Sequence, residues 1–290
     1  MESKLLDRTI EVGRINEGLL LIDIGGTRIR AARVVGNEIR ETMNQIVGLS
    51  LLDIIQQIKA EISKVSTATK EVSVACPGLV KPDGAVGAAL HSAVSDTNLQ
   101  ENLTRELELS TYVYNDAYAQ SLGIPKVLES TVFLSLGTSI GGAFLPVNNP
   151  IRGAHGYGGE VGHMPTSFAT GNCRCGKRHC LDLVASGWSL ERDLGRGWWK
   201  SLSKAVEMRI ELAGKAVAEL STRLMPFTDH GVLSVAGHLV RHETFRNALD
   251  VANEAQKTIW PSARIEYISN FELLTWVGLC KAHIQKNRIG

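Results

Sequence analysis

Apolar residues along this chain recur with two different periods. Short runs that read as strands fall at 18–24, 32–35 and 39–43. The stretch 51–65 then places apolar residues at Leu51, Ile54, Ile55, Ile58 and Ile62, the three-to-four spacing of a helix. A β-hairpin start followed by a crossover is predicted. Buried strands are expected at 71–75 and 111–114, separated by a glycine-containing stretch around Gly84 and Gly87 and a helix over 99–107. Strands at 131–136 and 141–145 repeat the strand, glycine turn, strand order of residues 19–35, which predicts two halves built on one plan. Helices over 200–224 and 243–255 flank a strand at 232–235, and a last helix starts near Phe271. This alternation places the chain in the α/β class. The hinge is expected just after Asp116, giving a smaller N-terminal α/β domain over 1–116 and a larger one over 117–290. The helix from about 271 is able to pack back on the first.

Composition narrows the partners. The 290 residues are 44% hydrophobic and 21% charged, with a formal charge of +1, so a substantial core is available. Nothing in that balance favours nucleic acid or an anionic membrane surface. No apolar run reaches the roughly 18 residues of a bilayer span, and Glu2, Asp7 and Glu11 do not fit a signal peptide. Of five cysteines, Cys76 and Cys280 stand alone in apolar surroundings while three crowd together. A disulfide framework does not follow from that spacing; reduced thiols in a cytoplasmic protein do.

Four segments carry chemistry. The first is Asp23-Ile24-Gly25-Gly26-Thr27 between two strands, where adjacent glycines can bring backbone N–H groups to a phosphate and Thr27 can add a hydroxyl. A plain hairpin turn is the alternative, but Asp23, at the end of an apolar strand, is suited to hold a hydrated magnesium ion. The second turn, Gly137-Thr138-Ser139-Ile140-Gly141-Gly142, follows the same logic, and the two turns are expected to grip a polyphosphate from both sides of a cleft. Neither matches the P-loop or the dinucleotide-binding glycine fingerprint. Between the turns, Tyr114-Asn115-Asp116-Ala117 ends a strand and begins a helix. Asp116 there is either a helix N-cap or a general base for a hydroxyl nucleophile. The fourth segment holds Glu160, His163, Cys173, Cys175, Cys180 and Asp182. One histidine and three cysteines in this spacing predict a structural metal, with Glu160 and Asp182 aimed at a polar ligand.

In this order, Asp23-Ile-Gly-Gly-Thr27, Asn115-Asp116-Ala117, the 137–142 turn, Gly159-Glu-Val-Gly-His163 and Cys173-x-Cys-Gly-x-x-x-Cys180-Leu-Asp182 resemble the ROK family of repressors, open reading frames and kinases, and in particular its glucokinase-like sugar kinases. The resemblance runs over nearly the whole chain. It implies an actin-like (ribonuclease H-like) ATPase fold of two α/β domains with a central cleft, and ATP-dependent phosphorylation of a hexose or N-acetylated amino sugar. It also implies magnesium, a structural zinc ion, a homodimer or homotetramer, and Asp116 as the base. By the same resemblance His163, Cys173, Cys175 and Cys180 bind zinc, while Asn115, Asp116, Glu160, His163 and Asp182 contact the sugar. Asp23, Gly25, Gly26, Thr27, Gly137, Thr138, Gly141 and Gly237 then bind the nucleotide.

Departures from the family pattern bear on the ligands. Asp182 stands where the family has Glu, one methylene longer; Ser139 and His238 stand in place of glycines, as does His179 in the metal loop. The family's sugar loop is not recognisable in 88–96, where His91 and Ser92 become substitute candidates. Pro77-Gly78 does match, as a turn near the sugar or a bland strand end. Trp188, Trp198 and Trp199 read as packing or subunit contacts rather than a carbohydrate platform. A repressor would need a DNA-binding helix-turn-helix ahead of the first strand, which about 17 residues do not accommodate. A weakly active or inactive sugar-binding sensor is the second reading.

Overall fold

The computed structural model describes residues 18–35, 38–64, 69–89, 91–125, 128–147, 149–200, 203–255 and 259–289. The predicted end of the first helix at Val65, Leu90 of the sugar-loop region, and the N-terminal acidic residues lie outside them. Strand β1 (Leu19–Ile24) is apolar and buried throughout, β2 (Arg28–Val35) returns antiparallel to it, and β3 (Glu38–Ile46) lies at the edge with mostly exposed side chains. Helix α1 (Leu51–Ser63) starts at a capping box, in which Ser50 Oγ accepts from Asp53 N while Asp53 accepts from Ser50 N. Its apolar stripe, Ile54, Ile55 and Ile58, lies on the sheet. Strand β4 (Glu71–Cys76) runs parallel to β1; α2 (Leu99–Leu107) leads to β5 (Ser110–Asn115), parallel to β4, and α3 (Asp116–Gly123) follows without a break. The sheet order is β3-β2-β1-β4-β5.

The plan then repeats. Strands β6 (Thr131–Leu136) and β7 (Ile140–Leu145) form an antiparallel pair. Two short helices, α4 (Asp182–Ala185) and α5 (Gly187–Leu194), precede the long α6 (Lys204–Thr228). Strand β8 (Val232–Gly237) is parallel to β6, α7 (Glu243–Ala255) crosses over, and β9 (Arg264–Ile268) is parallel to β8. The order β7-β6-β8-β9 matches β2-β1-β4-β5 of the first sheet in both sequence and direction. The predicted strand–turn–strand duplication is therefore present in topology. Strand β9 has no counterpart in the prediction: it is short, half-buried and charged at Arg264 and Glu266, so no apolar run marks it.

Two compact units result. One comprises Met1–Lys126, Arg152–Tyr157 and Glu272–Gly290, the other Val127–Ile151 and Gly158–Phe271. In the first, α8 (Phe271–Ile289) covers the face of the sheet opposite α1, where Trp276, Val277, Leu279 and Cys280 pack on Leu19, Leu21, Ala32 and Val34. Close approach of α8 to α3 depends on Gly278, because a Cβ there would collide with the Ala119 carbonyl oxygen. In the second unit, α6 and α7 pack on β6 and β8 through Ile210, Val217, Phe245 and Leu249. No helix among the described residues is long and apolar enough to cross a membrane.

Candidate functional site

Parallel strands bring the chemistry of the first unit to one edge. Asp23 pairs in register with Ala75, and Cys76 with Asn115, so Asp23 at the end of β1 and Asp116 just past the end of β5 lie at the same C-terminal edge of the sheet, with β4 between their strands. Such ends are where open α/β sheets bind ligands. Asn115, not Asp116, is the N-cap of α3: its Oδ1 accepts from Tyr118 N at 2.9 Å, and its Nδ2 donates to Gly78 O at 3.0 Å. The capping alternative for Asp116 thus falls to its neighbour. Pro77-Gly78 becomes the turn that Asn115 anchors. Asp116 Oδ1 accepts only the adjacent Ala117 N–H, at 2.8 Å, among the hydrogen bonds found for it. Withdrawal from bulk water pushes its pKa up to about 6, the Ala117 hydrogen bond opposes the rise, and the nearby Asp23 charge adds to it. A carboxylate with that pKa is a stronger base than an ordinary aspartate.

Asp23 is 8% exposed and does not stand alone. Arg30, directly opposite on β2, donates to Asp23 Oδ2 through Nε at 3.1 Å and through Nη2. The guanidinium also lies 5.5 Å from the Trp276 ring centre and 3.7 Å from Glu272. Burial raises the Asp23 pKa and Arg30 counters it. The cross-strand register makes Arg30 the counter-ion of Asp23. Beyond Asp23 the turn is tight, with Gly25 N donating to Arg28 O at 2.7 Å, and Gly26 and Thr27 are exposed.

In the second unit the turn after β6 is residues 137–139, with Ile140, Gly141 and Gly142 of the predicted turn already paired in β7, and Gly237 pairs with Leu136 at the same strand ends. The turn is bolted to α5: Gly187 N donates to Gly137 O at 2.8 Å and Trp188 N to Thr138 O at 3.1 Å. Ser186 is the N-cap of α5, so Ser186-Gly187 opens that helix. Asp182, 1% exposed, accepts from Ile140 N at 3.0 Å through Oδ1 and from Trp188 Nε1 at 2.6 Å through Oδ2. Those partners were not legible in the sequence. They hold the shorter carboxylate back against the glycine turn and occupy one of the turn's amides. His238, which stands in a glycine position, packs its ring edge-on against Phe271 with centroids 5.0 Å apart. His91 is buried, and its Nδ1 accepts from Ala93 N at 3.3 Å.

The metal loop is built on a small irregular hairpin. Pro165 bridges Cys180 and Asn172 bridges Arg178, and a knuckle closes where Cys173 N donates to Lys177 O at 2.7 Å and Gly176 N to Cys173 O at 3.0 Å. Gly176, at φ 86°, adopts the left-handed conformation that the knuckle needs. His163 ends a short 3₁₀ turn whose entry, Gly159 at φ 105°, lies so close to β7 that a Cβ would strike the Gly142 carbonyl. Glu160 sits within that turn, half-buried. The ligand atoms of His163, Cys173, Cys175 and Cys180 lie within 4.8 Å of one another. Cys175 Sγ is 3.7 Å from Cys180 Sγ, and Cys173 Sγ is 3.6 Å from His163 Nδ1. Tetrahedral zinc, with bonds of about 2.3 Å to sulfur and 2.0–2.1 Å to nitrogen, requires separations of about 3.8 and 3.6 Å. The donor set and spacing fit zinc. His179 is not among the ligands: its Nδ1 contacts Ala169 O at 2.7 Å, and its φ of 60° explains why glycine suits that position.

A family model described as "ROK family" matches residues 19–252. A glucokinase of Halalkalibacterium halodurans is 24% identical over 241 residues, covering 77% of this chain and 73% of that protein. An N-acetylmannosamine kinase of Vibrio cholerae is 24% identical over 263 residues, covering 83% and 91%. A ROK family glucokinase from Streptomyces griseus, solved with glucose and AMPPNP, superposes with a TM-score of 0.79 at 19% identity over 92% of this chain and 99% of that one. This likeness shows the fold, that of the actin-like ATPases.

Proposed function

Because the chain belongs to the ROK family, we propose that it is an ATP-dependent sugar kinase acting on a hydroxyl of a hexose or an N-acetylated amino sugar, with Asp116 as its base. The observation that carries this reading is Asp116 itself: at the end of β5, relieved of capping by Asn115, and with a pKa near 6. Relatives named as a glucokinase and an N-acetylmannosamine kinase support the substrate class. In the reaction the sugar oxygen forms a bond to the terminal phosphorus of ATP as the bond to the bridging oxygen breaks, and ADP leaves. Asp116 orients the hydroxyl and takes its proton. The protein's part is otherwise positioning and charge neutralisation.

Asn115, Glu160 and His163 are assigned to the sugar; Asp182, expected there from the resemblance, is instead taken up by Ile140 N and Trp188 Nε1. Gly25, Gly26, Thr27, Gly137, Thr138, Gly141 and Gly237 are assigned to the nucleotide. Magnesium, when bound, neutralises phosphate charge; Asp23, already paired with Arg30, suits a water-mediated hold on it, since that ion keeps several waters. Zinc held by His163, Cys173, Cys175 and Cys180 would brace the loop that carries Asp182. ADP release across a panel of hexoses and N-acetylated amino sugars, with Asp116→Asn as control, tests the reading. Sugar binding without ADP release from any of them would replace it with the sensor.

A further inference from the structure

Arg174 lies between two of the metal-loop cysteines, and its side chain leaves the loop for the second glycine turn. Its Nη2 donates to Ser139 Oγ at 3.3 Å and stands 3.9 Å from Asp182 Oδ2. Its guanidinium carbon lies 4.2 Å from the Trp188 ring centre. Each of these three groups belongs to the 137–142 turn or is bonded to it. Ser139 is part of it, Asp182 accepts from Ile140 N, and Trp188 N donates to Thr138 O. Arg192, the other guanidinium near Trp188, is paired with Asp193 at 2.6 Å.

We propose that Arg174 is a positioning residue that couples the metal loop to the second glycine turn, so that metal occupancy sets the affinity of that turn for the phosphates of the donor nucleotide. This rests on reading the turn as a phosphate site. The electrostatic need is specific. Asp182 brings a buried carboxylate against the turn, a charge that repels polyphosphate, and Arg174 is the cation placed to offset it. The planar guanidinium over an indole face is held in orientation as well as in place. Ser139, which stands in a glycine position, supplies the hydroxyl that completes the link. A metal bound by Cys173 and Cys175 would pin the backbone on both sides of Arg174, beyond what the knuckle's hydrogen bonds from Cys173 N and Gly176 N supply.

Calorimetric titration with Mg–ADP and with AMP tests this on the zinc-loaded protein, the chelator-stripped protein, Arg174→Ala, Arg174→Lys, Ser139→Ala and the double variant, with zinc content measured for each. Arg174→Ala should keep its zinc and bind Mg–ADP about tenfold more weakly, the loss of one charge-assisted contact. AMP affinity should change far less, and Arg174→Lys should recover part of the loss. The double variant should be no worse than Arg174→Ala alone. Stripping the metal should weaken Mg–ADP binding in the parent but add little in Arg174→Ala. Parental affinity in Arg174→Ala, additive losses, or zinc lost together with affinity overturns the coupling. A parent protein that binds neither nucleotide overturns the kinase reading itself.

Discussion

Replacing Asp116 with asparagine changes one oxygen to an amide nitrogen, and it should stabilise the protein while disabling it. In the folded chain the Asp116 pKa rises from 3.8 to about 6. A rise of that size corresponds to about 3 kcal/mol between the ionised and protonated forms. Partial exposure of the side chain reduces this to about 1–2 kcal/mol. The sign follows from proton binding. The folded state holds the Asp116 proton up to higher pH than the unfolded chain does, so stability from this group is complete below pH 4 and is lost as pH rises through 6. Asparagine removes that loss and keeps Oδ1 as acceptor for Ala117 N–H. Thermal melts of the parent and Asp116→Asn should therefore coincide near pH 4. They should separate above pH 7 by about 2–6 °C, with the variant the more stable. On the proposed mechanism turnover falls by about 10²–10⁴-fold with sugar binding largely retained. The parent's pH–rate profile should drop on the acid side near pH 6, where the base gains its proton, and the variant's residual rate should lack that limb. Equal melting temperatures at pH 8, or near-parental turnover, would refute the argument.

The remaining predictions concern the supports of the site. Elemental analysis should find stoichiometric zinc in the parent and none in Cys175→Ser, and the 171–180 loop of the variant should become open to protease; a parent protein without zinc would remove the metal assignment. Trp188→Phe keeps a ring under Arg174 but strips Asp182 Oδ2 of its Nε1 donor, so the urea midpoint should fall by an amount equivalent to about 1.5–3 kcal/mol, and an unchanged midpoint would show that the bond contributes nothing. Gly278→Ala pushes a methyl group at the Ala119 carbonyl between α8 and α3. It should cost about 1–3 kcal/mol in the same assay, and parental stability would mean that the helices are not in that contact.

Much of this protein was legible as pattern, because strands and helices bury one face at a fixed period. The strands at 131–136, the helices over 99–107 and 243–255, and the start of the last helix at Phe271 are where the apolar spacing put them. The repeated plan was legible too, since a glycine turn between apolar strands marks an antiparallel pair. Candidate chemistry was legible where residue type is restrictive: three cysteines and a histidine have few other reasons to cluster, and Asp116 stands at a strand end. Contacts between distant positions were not. That Arg30 neutralises Asp23 depends on a cross-strand register, and that Asp182 is held by Ile140 N and Trp188 depends on a separation of 42 residues closing in space. Which of Asn115 and Asp116 caps α3 depends on backbone angles that both residues tolerate equally. Sequence alone determined which groups the chain carries and the elements that bear them, since period and residue type are local properties. Tertiary structure decided the partner of each charge, and thereby the pKa of Asp116 and the place of Arg174, since desolvation and pairing exist only once distant segments meet.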